Sequence, residues 1–164
     1  MIELIVLDVD GCLTNGTIIH TKNGDELKGF NVKDGLAIAT WNKMGKKSAI
    51  ITGRESQIVQ KRATELKINH VYQGIKKKKE KLDEILKKES LDYSQCAIIG
   101  DDLNDYSMLK VAGISFTPND GVDFIKDTVD IVLSKNGGYG AIREMIEIIL
   151  DRDNLREEFI KKWL

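Results

Sequence analysis

The sequence contains little cysteine, a single proline and no long apolar run. Its 164 residues include two cysteines, Cys12 and Cys96, which form no CxxC or CxxH pattern. This excludes a disulfide framework, and it argues against a zinc site. No apolar run approaches the roughly 20 residues that span a bilayer, and acidic residues interrupt the apolar start, unlike in a signal peptide. We therefore expect a protein of the reducing cytoplasm that has no membrane contact.

The sequence also lacks an excess of charge of either sign. Its 25 basic and 26 acidic residues leave a net charge of -1. Such a balance argues against a nucleic-acid partner, because those proteins are usually basic. With 41% hydrophobic and 31% charged residues, the composition is that of a soluble globular protein. The length predicts one domain, residues 1–164, which needs neither disulfide nor structural metal to fold.

Short apolar runs alternate with amphipathic stretches along the chain. Several runs are continuously apolar and end in glycine, as buried parallel strands do. The alternation predicts an α/β fold with a doubly wound, mainly parallel sheet. Strands are predicted over 2–7, 47–51, 69–72, 95–99, 114–116 and 129–133, and helices over 34–44, 55–66, 77–89, 104–112, 121–126 and 140–151.

Two segments depart from this alternation. Residues 16–31 hold two short runs around Asn23-Gly24, which predicts a projecting β-hairpin directly after the acidic end of the first strand. The tail, residues 152–164, is charged with interspersed apolar side chains. Its pattern fits a packed end helix, a subunit contact or a flexible lid, and does not distinguish them.

Polar side chains follow three of the predicted strands. Asp8 and Asp10 come after the first strand, Thr52 and Arg54 after the second, and Asp101 after the fourth. Because ligands of doubly wound sheets bind at the carboxyl ends of strands, we expect these groups to meet. Converging carboxylates repel one another, and a divalent cation relieves that repulsion. All-oxygen ligands favour Mg²⁺ over zinc.

The spacing of Asp8 and Asp10 suits phosphoryl transfer. Both can face one ligand if the chain turns sharply, and Gly11 permits such a turn. A carboxylate beside Mg²⁺ can attack phosphorus and form an aspartyl-phosphate. A second carboxyl can protonate the leaving oxygen and then activate water. The alternative is a pair of solvated aspartates in a turn.

The cationic and hydroxyl candidates are less specific. Thr52 is a turn or helix-capping residue, a donor to a phosphoryl oxygen, or both. Arg54 is either an exposed loop cation or a ligand for a substrate phosphate or carboxylate. Lysines 76–79 cluster at a helix start, where the helix dipole disfavours cations. One of them is expected to stabilise charge on phosphorus, but the pattern does not say which.

These motifs resemble the four motifs of the haloacid dehalogenase (HAD) phosphohydrolase superfamily and occur in its order. Further stretches narrow the resemblance to a capless branch, the 3-deoxy-D-manno-octulosonate 8-phosphate phosphatases. The superfamily motifs are Asp8-Val9-Asp10-Gly11 with Thr14, Ile51-Thr52-Gly53-Arg54, a lysine near 78, and Gly100-Asp101-Asp102-Leu103-Asn104-Asp105. The stretches of the capless branch are 23–28, 30–35, 72–74 and 137–144.

The resemblance implies a HAD-like Rossmannoid fold and a Mg²⁺-dependent phosphatase. Its substrate would be 3-deoxy-D-manno-octulosonate 8-phosphate, an intermediate of lipopolysaccharide sugar biosynthesis, and an aspartyl-phosphate would form. Asp8 would be the nucleophile and Asp10 the general acid/base. The ligands of Mg²⁺ would be Asp8, the backbone carbonyl of Asp10, and Asp101.

The resemblance also assigns supporting roles. Thr52 would bind the phosphoryl group, with Gly53 and Arg54 binding substrate beside it. Counting from Gly74, Lys78 best matches the family's catalytic, phosphate-binding lysine, although Lys77 precedes it where the family has an acidic or small polar residue. Metal-bound waters and this lysine would be ordered by Asp102 and Asp105. Hairpins of the family assemble a homotetramer and help to close neighbouring sites.

Three other functions remain as alternatives. A related sugar-acid phosphate is one possible substrate. A phosphoacceptor module is another possibility, although such modules place adjacent acidic residues on the first strand and the acceptor later, the reverse of the order here. The third is a catalytically silent oligomerisation module, against which the intact Asp8, Asp10, Lys78 and Asp101 argue.

Overall fold

A six-stranded parallel sheet organises the chain, and the computed structural model describes all residues, 1–164. Its strands are β1 (Leu4–Leu7), β4 (Lys47–Ile51), β5 (His70–Tyr72), β6 (Cys96–Ile99), β7 (Ile114–Thr117) and β8 (Ile131–Val132). They lie in the order β5-β4-β1-β6-β7-β8, and every neighbouring pair is parallel. The predicted parallel sheet is confirmed. β1 lies near its middle, between β4 and β6.

Helices cover both faces of the sheet. They are α1 (Val32–Lys43), α2 (Gln57–Glu65), α3 (Lys78–Glu89), α4 (Tyr106–Leu109), α5 (Asp123–Lys126), α6 (Ala141–Arg152) and α7 (Arg156–Lys161). Side chains of β1 alternate between two cores: Ile5 and Leu7 pack with α1, α2 and α6, whereas Leu4 and Val6 pack with α3 and α4. The predicted doubly wound α/β fold is therefore confirmed.

Two predicted elements are less than half as long in the structure as predicted. The helix predicted over 104–112 covers only Tyr106–Leu109, because the Asp102 and Asp105 side chains bind backbone amides and form a separate tight turn before it. The strand predicted over 129–133 covers only Ile131–Val132. Before it, the Asp130 carboxylate accepts bonds from the Ser115 backbone and hydroxyl, each 2.7 Å, in place of strand pairing.

The hairpin and the tail lie outside the sheet. β2 (Ile19–His20) pairs antiparallel with β3 (Glu26–Leu27) across the predicted turn. The tail forms α7 against α6, and Trp163 beyond it donates from Nε1 to the Thr40 hydroxyl at 2.8 Å. In this structure the tail is therefore a packed end helix. No helix combines the length and apolarity required to cross a membrane.

Candidate active site

A cleft of about 150 Å³ opens at the carboxyl ends of β1, β4 and β6. Asp8 follows β1, Thr52 follows β4 and Asp101 lies just beyond β6, and these strands are neighbours in the sheet. The fold thus brings together groups that are far apart in sequence. The residues that line the cleft are Asp8, Asp10, Thr52, Gly53, Arg54, Asp101, Asp102 and Asn104.

A buried lysine joins two carboxylates beneath this cleft. The Lys78 Nζ donates to Asp8 Oδ1 at 2.7 Å and to Asp105 Oδ1 at 2.5 Å. The Lys78 and Asp105 side chains are 0% exposed. Burial lowers the pKa of Lys78, but the two carboxylates outweigh this effect and raise it above its ordinary value. Lys78 therefore keeps its charge next to Asp8.

The other lysines of the run lie outside the cleft. The Lys77 side chain is 76% exposed and pairs with Glu80. Lys79 pairs with Asp83 and binds the Tyr93 hydroxyl. Within this run, only Lys78 contacts Asp8, and it is the lysine that the family resemblance indicated.

Asp101 lies next to the tight turn that carries Asp10. Gly11 has φ +101°, and a Cβ added there would lie 2.1 Å from Asp101 Oδ2. The turn can approach this carboxylate only because residue 11 has no side chain. Ligand atoms of Asp8, Cys12 and Asp101 lie within 4.8 Å of one another.

The pKa shifts of Asp8, Asp101 and Cys12 indicate which of these side chains can bind a cation. Burial, followed by the charge of Asp105, raises the pKa of Asp8 to about 6. Burial, followed by the charges of Asp8, Asp105 and Asp102, raises the pKa of Asp101 to about 8. Burial raises the pKa of Cys12 well above its ordinary value, so its thiol stays protonated. With the thiol protonated, the Asp8 and Asp101 carboxyl groups are the donors left for a cation, and oxygen donors suit a hard cation such as Mg²⁺.

A second group of charges lies at the hairpin side of the cleft. Asp10 Oδ1 accepts a hydrogen bond from Lys28 Nζ, which also lies 3.4 Å from Glu26 Oε1. Arg54 donates from Nη2 to Glu26 Oε1 at 3.1 Å, and its Nε lies 4.0 Å from Asp10 Oδ2. Ion pairs thereby link the hairpin to both Asp10 and Arg54.

Thr52 does not cap the helix that follows it. The N-cap of α2 is Ser56, whose hydroxyl accepts a hydrogen bond from the Ile58 amide at 3.2 Å. The capping alternative for Thr52 is therefore wrong. Its backbone is fixed instead, since its amide donates to Tyr72 O and its carbonyl accepts from Ile75 N, both at 3.0 Å. This places Thr52 at the cleft.

Asp102 and Asp105 differ in environment. Asp105 is fully buried, and its Oδ2 accepts hydrogen bonds from the amides of Asp101, at 3.0 Å, and Asp102, at 3.4 Å. Asp102 is exposed, and its Oδ1 accepts from the Leu103 amide at 2.7 Å. Asp105 thus supports both Lys78 and the turn that holds Asp101.

The segment 136–140, which contains three glycines and precedes α6, packs on the turn around Gly11 and Cys12. Gly138 donates from its amide to Cys12 O at 3.0 Å, and a Cβ added to Gly137 would lie 1.8 Å from Gly11 O. This close packing supports the turn from behind. The contacts of this segment are with the protein backbone.

Four residues of the site were not among the predicted ones. They are Glu26 and Lys28 of the hairpin, Cys12 beside Asp101, and Asn104 at the cleft. The sequence offers one signal for the first two: they are two residues apart on a predicted strand and so share a face. It does not indicate where that face packs.

Comparisons with known proteins agree with this geometry. A family profile described as haloacid dehalogenase-like hydrolase matches residues 70–146. The 3-deoxy-D-manno-octulosonate 8-phosphate phosphatase KdsC of Escherichia coli K12 is 38% identical over 149 residues, which are 91% of this chain and 79% of that protein. Its counterpart from Haemophilus influenzae is 36% identical over 149 residues, 91% of this chain and 83% of that one.

Solved structures give the same relationship. The 3-deoxy-D-manno-octulosonate 8-phosphate phosphatase of Moraxella catarrhalis, in complex with magnesium ion, phosphate ion and a KDO molecule, is 40% identical with a TM-score of 0.95 and covers 99% of this chain and 94% of that chain. The cobalt-bound Haemophilus influenzae enzyme is 36% identical with a TM-score of 0.87, covering 92% and 88%. This chain therefore belongs to the 3-deoxy-D-manno-octulosonate 8-phosphate phosphatase family of haloacid dehalogenase-like hydrolases.

Proposed function

We propose that this protein is a Mg²⁺-dependent phosphatase that removes phosphate from 3-deoxy-D-manno-octulosonate 8-phosphate in lipopolysaccharide sugar biosynthesis. The observation that carries the proposal is the position of Asp8. Its carboxylate is paired with buried Lys78, and a carboxylate oxygen lies within 4.8 Å of one of Asp101, close enough for the two to share a metal ion. The Moraxella catarrhalis relative, solved with magnesium, phosphate and KDO, supports the same substrate.

In the first step the Asp8 carboxylate attacks phosphorus. A bond forms between an Asp8 oxygen and phosphorus while the bond from phosphorus to the sugar oxygen breaks. Protonated Asp10 donates its proton to that leaving oxygen. Lys78 and the Thr52 hydroxyl stabilise the negative charge on the phosphoryl oxygens, and Gly53 and Arg54 bind the substrate beside them. The products are the free sugar acid and an aspartyl-phosphate on Asp8.

In the second step water hydrolyses the aspartyl-phosphate. Asp10, now a carboxylate, accepts a proton from the water as its oxygen attacks phosphorus. The bond between phosphorus and Asp8 breaks, which releases phosphate and restores both carboxyl groups. Asp105 keeps Lys78 in place through both steps, and Asp102 stabilises the adjoining turn.

The residues that would hold Mg²⁺ are Asp8, Asp101 and the backbone carbonyl of Asp10. Their fit is supported by the crowding that raises the pKa of both side chains, since a bound cation compensates that charge. When bound, Mg²⁺ supplies Lewis-acid stabilisation of the phosphoryl oxygens.

A phosphate-release screen over sugar phosphates, with and without Mg²⁺, tests this function. We expect the highest kcat/KM on 3-deoxy-D-manno-octulosonate 8-phosphate and turnover only with the metal. Asp8→Asn should lower kcat more than about 10⁴-fold, because an amide cannot supply the attacking carboxylate. Asp123→Asn, which changes a fully exposed carboxylate, is the matched control and should retain wild-type activity.

Other outcomes of the screen identify the alternatives. Preference for a different sugar-acid phosphate would correct the substrate and keep the reaction. A stable phosphoprotein without turnover would indicate a phosphoacceptor module, and no reaction at all would favour the oligomerisation module. Activity retained in Asp8→Asn would reject the covalent mechanism.

We further propose a homotetramer of the cytoplasm, assembled through the hairpin. The Ile19 and Leu27 side chains face each other across the two strands, and both are about half exposed. Such an apolar surface favours contact with another copy. Both cysteines are free, which suits a reducing compartment.

Light scattering of Leu27→Asp tests the assembly. A charge at this contact should convert the tetramer to smaller species and lower kcat/KM. Val132→Asp, at a comparably exposed apolar residue on the edge strand β8, is the control and should remain tetrameric. A wild-type monomer with full activity would refute the tetramer.

A further inference from the structure

The hairpin carries one buried cation. The Lys28 side chain is 1% exposed, although β3 and the rest of the hairpin lie on the surface. A buried ammonium group loses its hydration and persists only where anions replace it. Here Asp10 Oδ1 accepts its hydrogen bond, and Glu26 Oε1 lies 3.4 Å away.

The strand geometry explains how the lysine reaches Asp10. Lys28 directly follows β3, and its Nζ lies 3.4 Å from Glu26 Oε1, so these two side chains lie on the same side of the hairpin, whereas Leu27 is half exposed. Leu27 pairs with Ile19 on the outer side. The side of the hairpin that carries Glu26 and Lys28 is therefore charged, and it contacts Asp10 and Arg54 at the cleft.

Asp10 has no other hydrogen-bonding partner that fixes its carboxyl group. Apart from Lys28, the nearest cation is Arg54, whose Nε lies 4.0 Å from Asp10 Oδ2 and so beyond hydrogen-bond distance. The Asp10 backbone lies in the tight turn, directly before Gly11, with φ -78° and ψ 107°. Its side chain would otherwise be free to change rotamer.

We propose that Lys28 is the positioning residue for Asp10. By holding Oδ1, it leaves Oδ2 as the oxygen that meets the leaving group of the substrate. This inference rests on the function proposed above, in which Asp10 is the general acid. Lys28 itself does not line the cleft, so it acts through Asp10 and not by binding phosphate.

The dependence of kcat/KM on the leaving group separates this role from a structural one. Under initial-rate conditions kcat/KM reports the steps up to formation of the aspartyl-phosphate, which include departure of the leaving oxygen. A sugar alkoxide needs a proton to leave, whereas the p-nitrophenolate ion leaves readily without one. A misplaced Asp10 should therefore slow the sugar phosphate selectively.

The experiment measures kcat/KM of Lys28→Met for the sugar phosphate and for p-nitrophenyl phosphate, at saturating Mg²⁺. We expect a loss of about 30- to 100-fold on the sugar phosphate, part of the 10²–10⁴-fold that general acid catalysis supplies. The loss on p-nitrophenyl phosphate should stay below about threefold. Lys28→Arg should recover most of the activity, since it keeps a cationic donor. Lys22→Met, in the exposed hairpin turn, should match the wild type on both substrates.

A double-mutant cycle with Asp10→Asn provides the second readout. If Lys28 acts through Asp10, adding Lys28→Met to Asp10→Asn should change kcat/KM by less than about twofold. A loss in the double variant equal to the product of the two single-variant losses would overturn the proposal. Equal losses on the two substrates in Lys28→Met would overturn it as well. If Lys28→Met does not fold, as judged by thermal denaturation, Lys28→Gln takes its place with the same criteria. A wild-type protein without turnover of either substrate would instead refute the proposed function.

Discussion

The two sides of the cleft are built differently. On the sheet side, Lys78 lies between Asp8 and Asp105, and all three side chains are almost fully buried. On the hairpin side, Arg54 is half exposed, and it contacts Glu26 of a strand only two residues long. The first group is fixed by the ends of sheet strands and by α3, whereas the contact between Arg54 and Glu26 is an ion pair near solvent.

This difference separates two tasks of the site. Charges in a buried environment interact strongly and have little freedom to move, which suits groups that act on phosphorus. Pairs near solvent contribute little stability, typically about 0–1 kcal/mol, and rearrange easily. In the proposed mechanism the half-exposed Arg54 and its partner Glu26 can thus adjust to a sugar, while the sheet side keeps one geometry for the phosphoryl group.

Removing the buried cation breaks the sheet side in both activity and stability. In Lys78→Met the side chains of Asp8 and Asp105 lose their shared partner. We expect kcat to fall about 10³-fold or more, with a loss of about 3–5 kcal/mol in the free energy of unfolding. Steady-state kinetics and denaturant unfolding measure the two effects.

Lys77→Met is the matched control for this change. Its side chain is exposed and pairs only with Glu80, so both activity and stability should stay near wild type. If Lys77→Met and Lys78→Met were equally impaired, the lysine run would act as a general positive field and not through one buried residue.

The second prediction concerns the turn shared by both sides. Gly11→Ala places a Cβ against the Asp101 carboxylate at a residue with φ +101°. We expect kcat/KM to fall about 10²-fold, because a shift near 1 Å in a reacting group has that effect. Gly24→Ala, at φ +87° but with nothing within 4 Å of the added Cβ, separates backbone strain from the clash. Equal activity losses in the two variants would assign the effect to strain.

The sheet side could be predicted from sequence to a greater extent than the hairpin side. Apolar strands that end in Asp8, Thr52 and Asp101 specify which groups meet, because parallel strands align their carboxyl ends. The choice of Lys78 came from the family resemblance, counting from Gly74, and not from the lysine run itself. Its burial could not be predicted, because four consecutive lysines look alike until α3 packs on the sheet and turns one of them inward.

The contacts of the hairpin could not be predicted from the sequence, for a physical reason. The pattern around Asn23-Gly24 predicts a hairpin, but a two-stranded ribbon can leave a sheet in several directions. Only tertiary packing brings Lys28 to Asp10 and Glu26 to Arg54. The limits of α4 were missed for a related reason, since the Asp102 and Asp105 side chains compete for backbone amides that a longer helix would use.

The smallest expected effect sharpens the account of the sheet side through its response to pH and Mg²⁺. In the metal-free protein the pKa of Asp8 is raised to about 6 and that of Asp101 to about 8. The folded state therefore binds more protons than the unfolded state, and the stability due to these groups falls as pH rises through these values.

Mg²⁺ binds the ionised carboxylates, so it competes with protons at low pH. The rise in Tm caused by Mg²⁺ should thus be small at pH 5 and grow to about 5–10 °C by pH 8.5 at 100 times the dissociation constant. Asp101→Asn should remove most of this rise and Asp123→Asn none of it, whereas a rise that is the same at both pH values would show that these two carboxylates do not bind the ion.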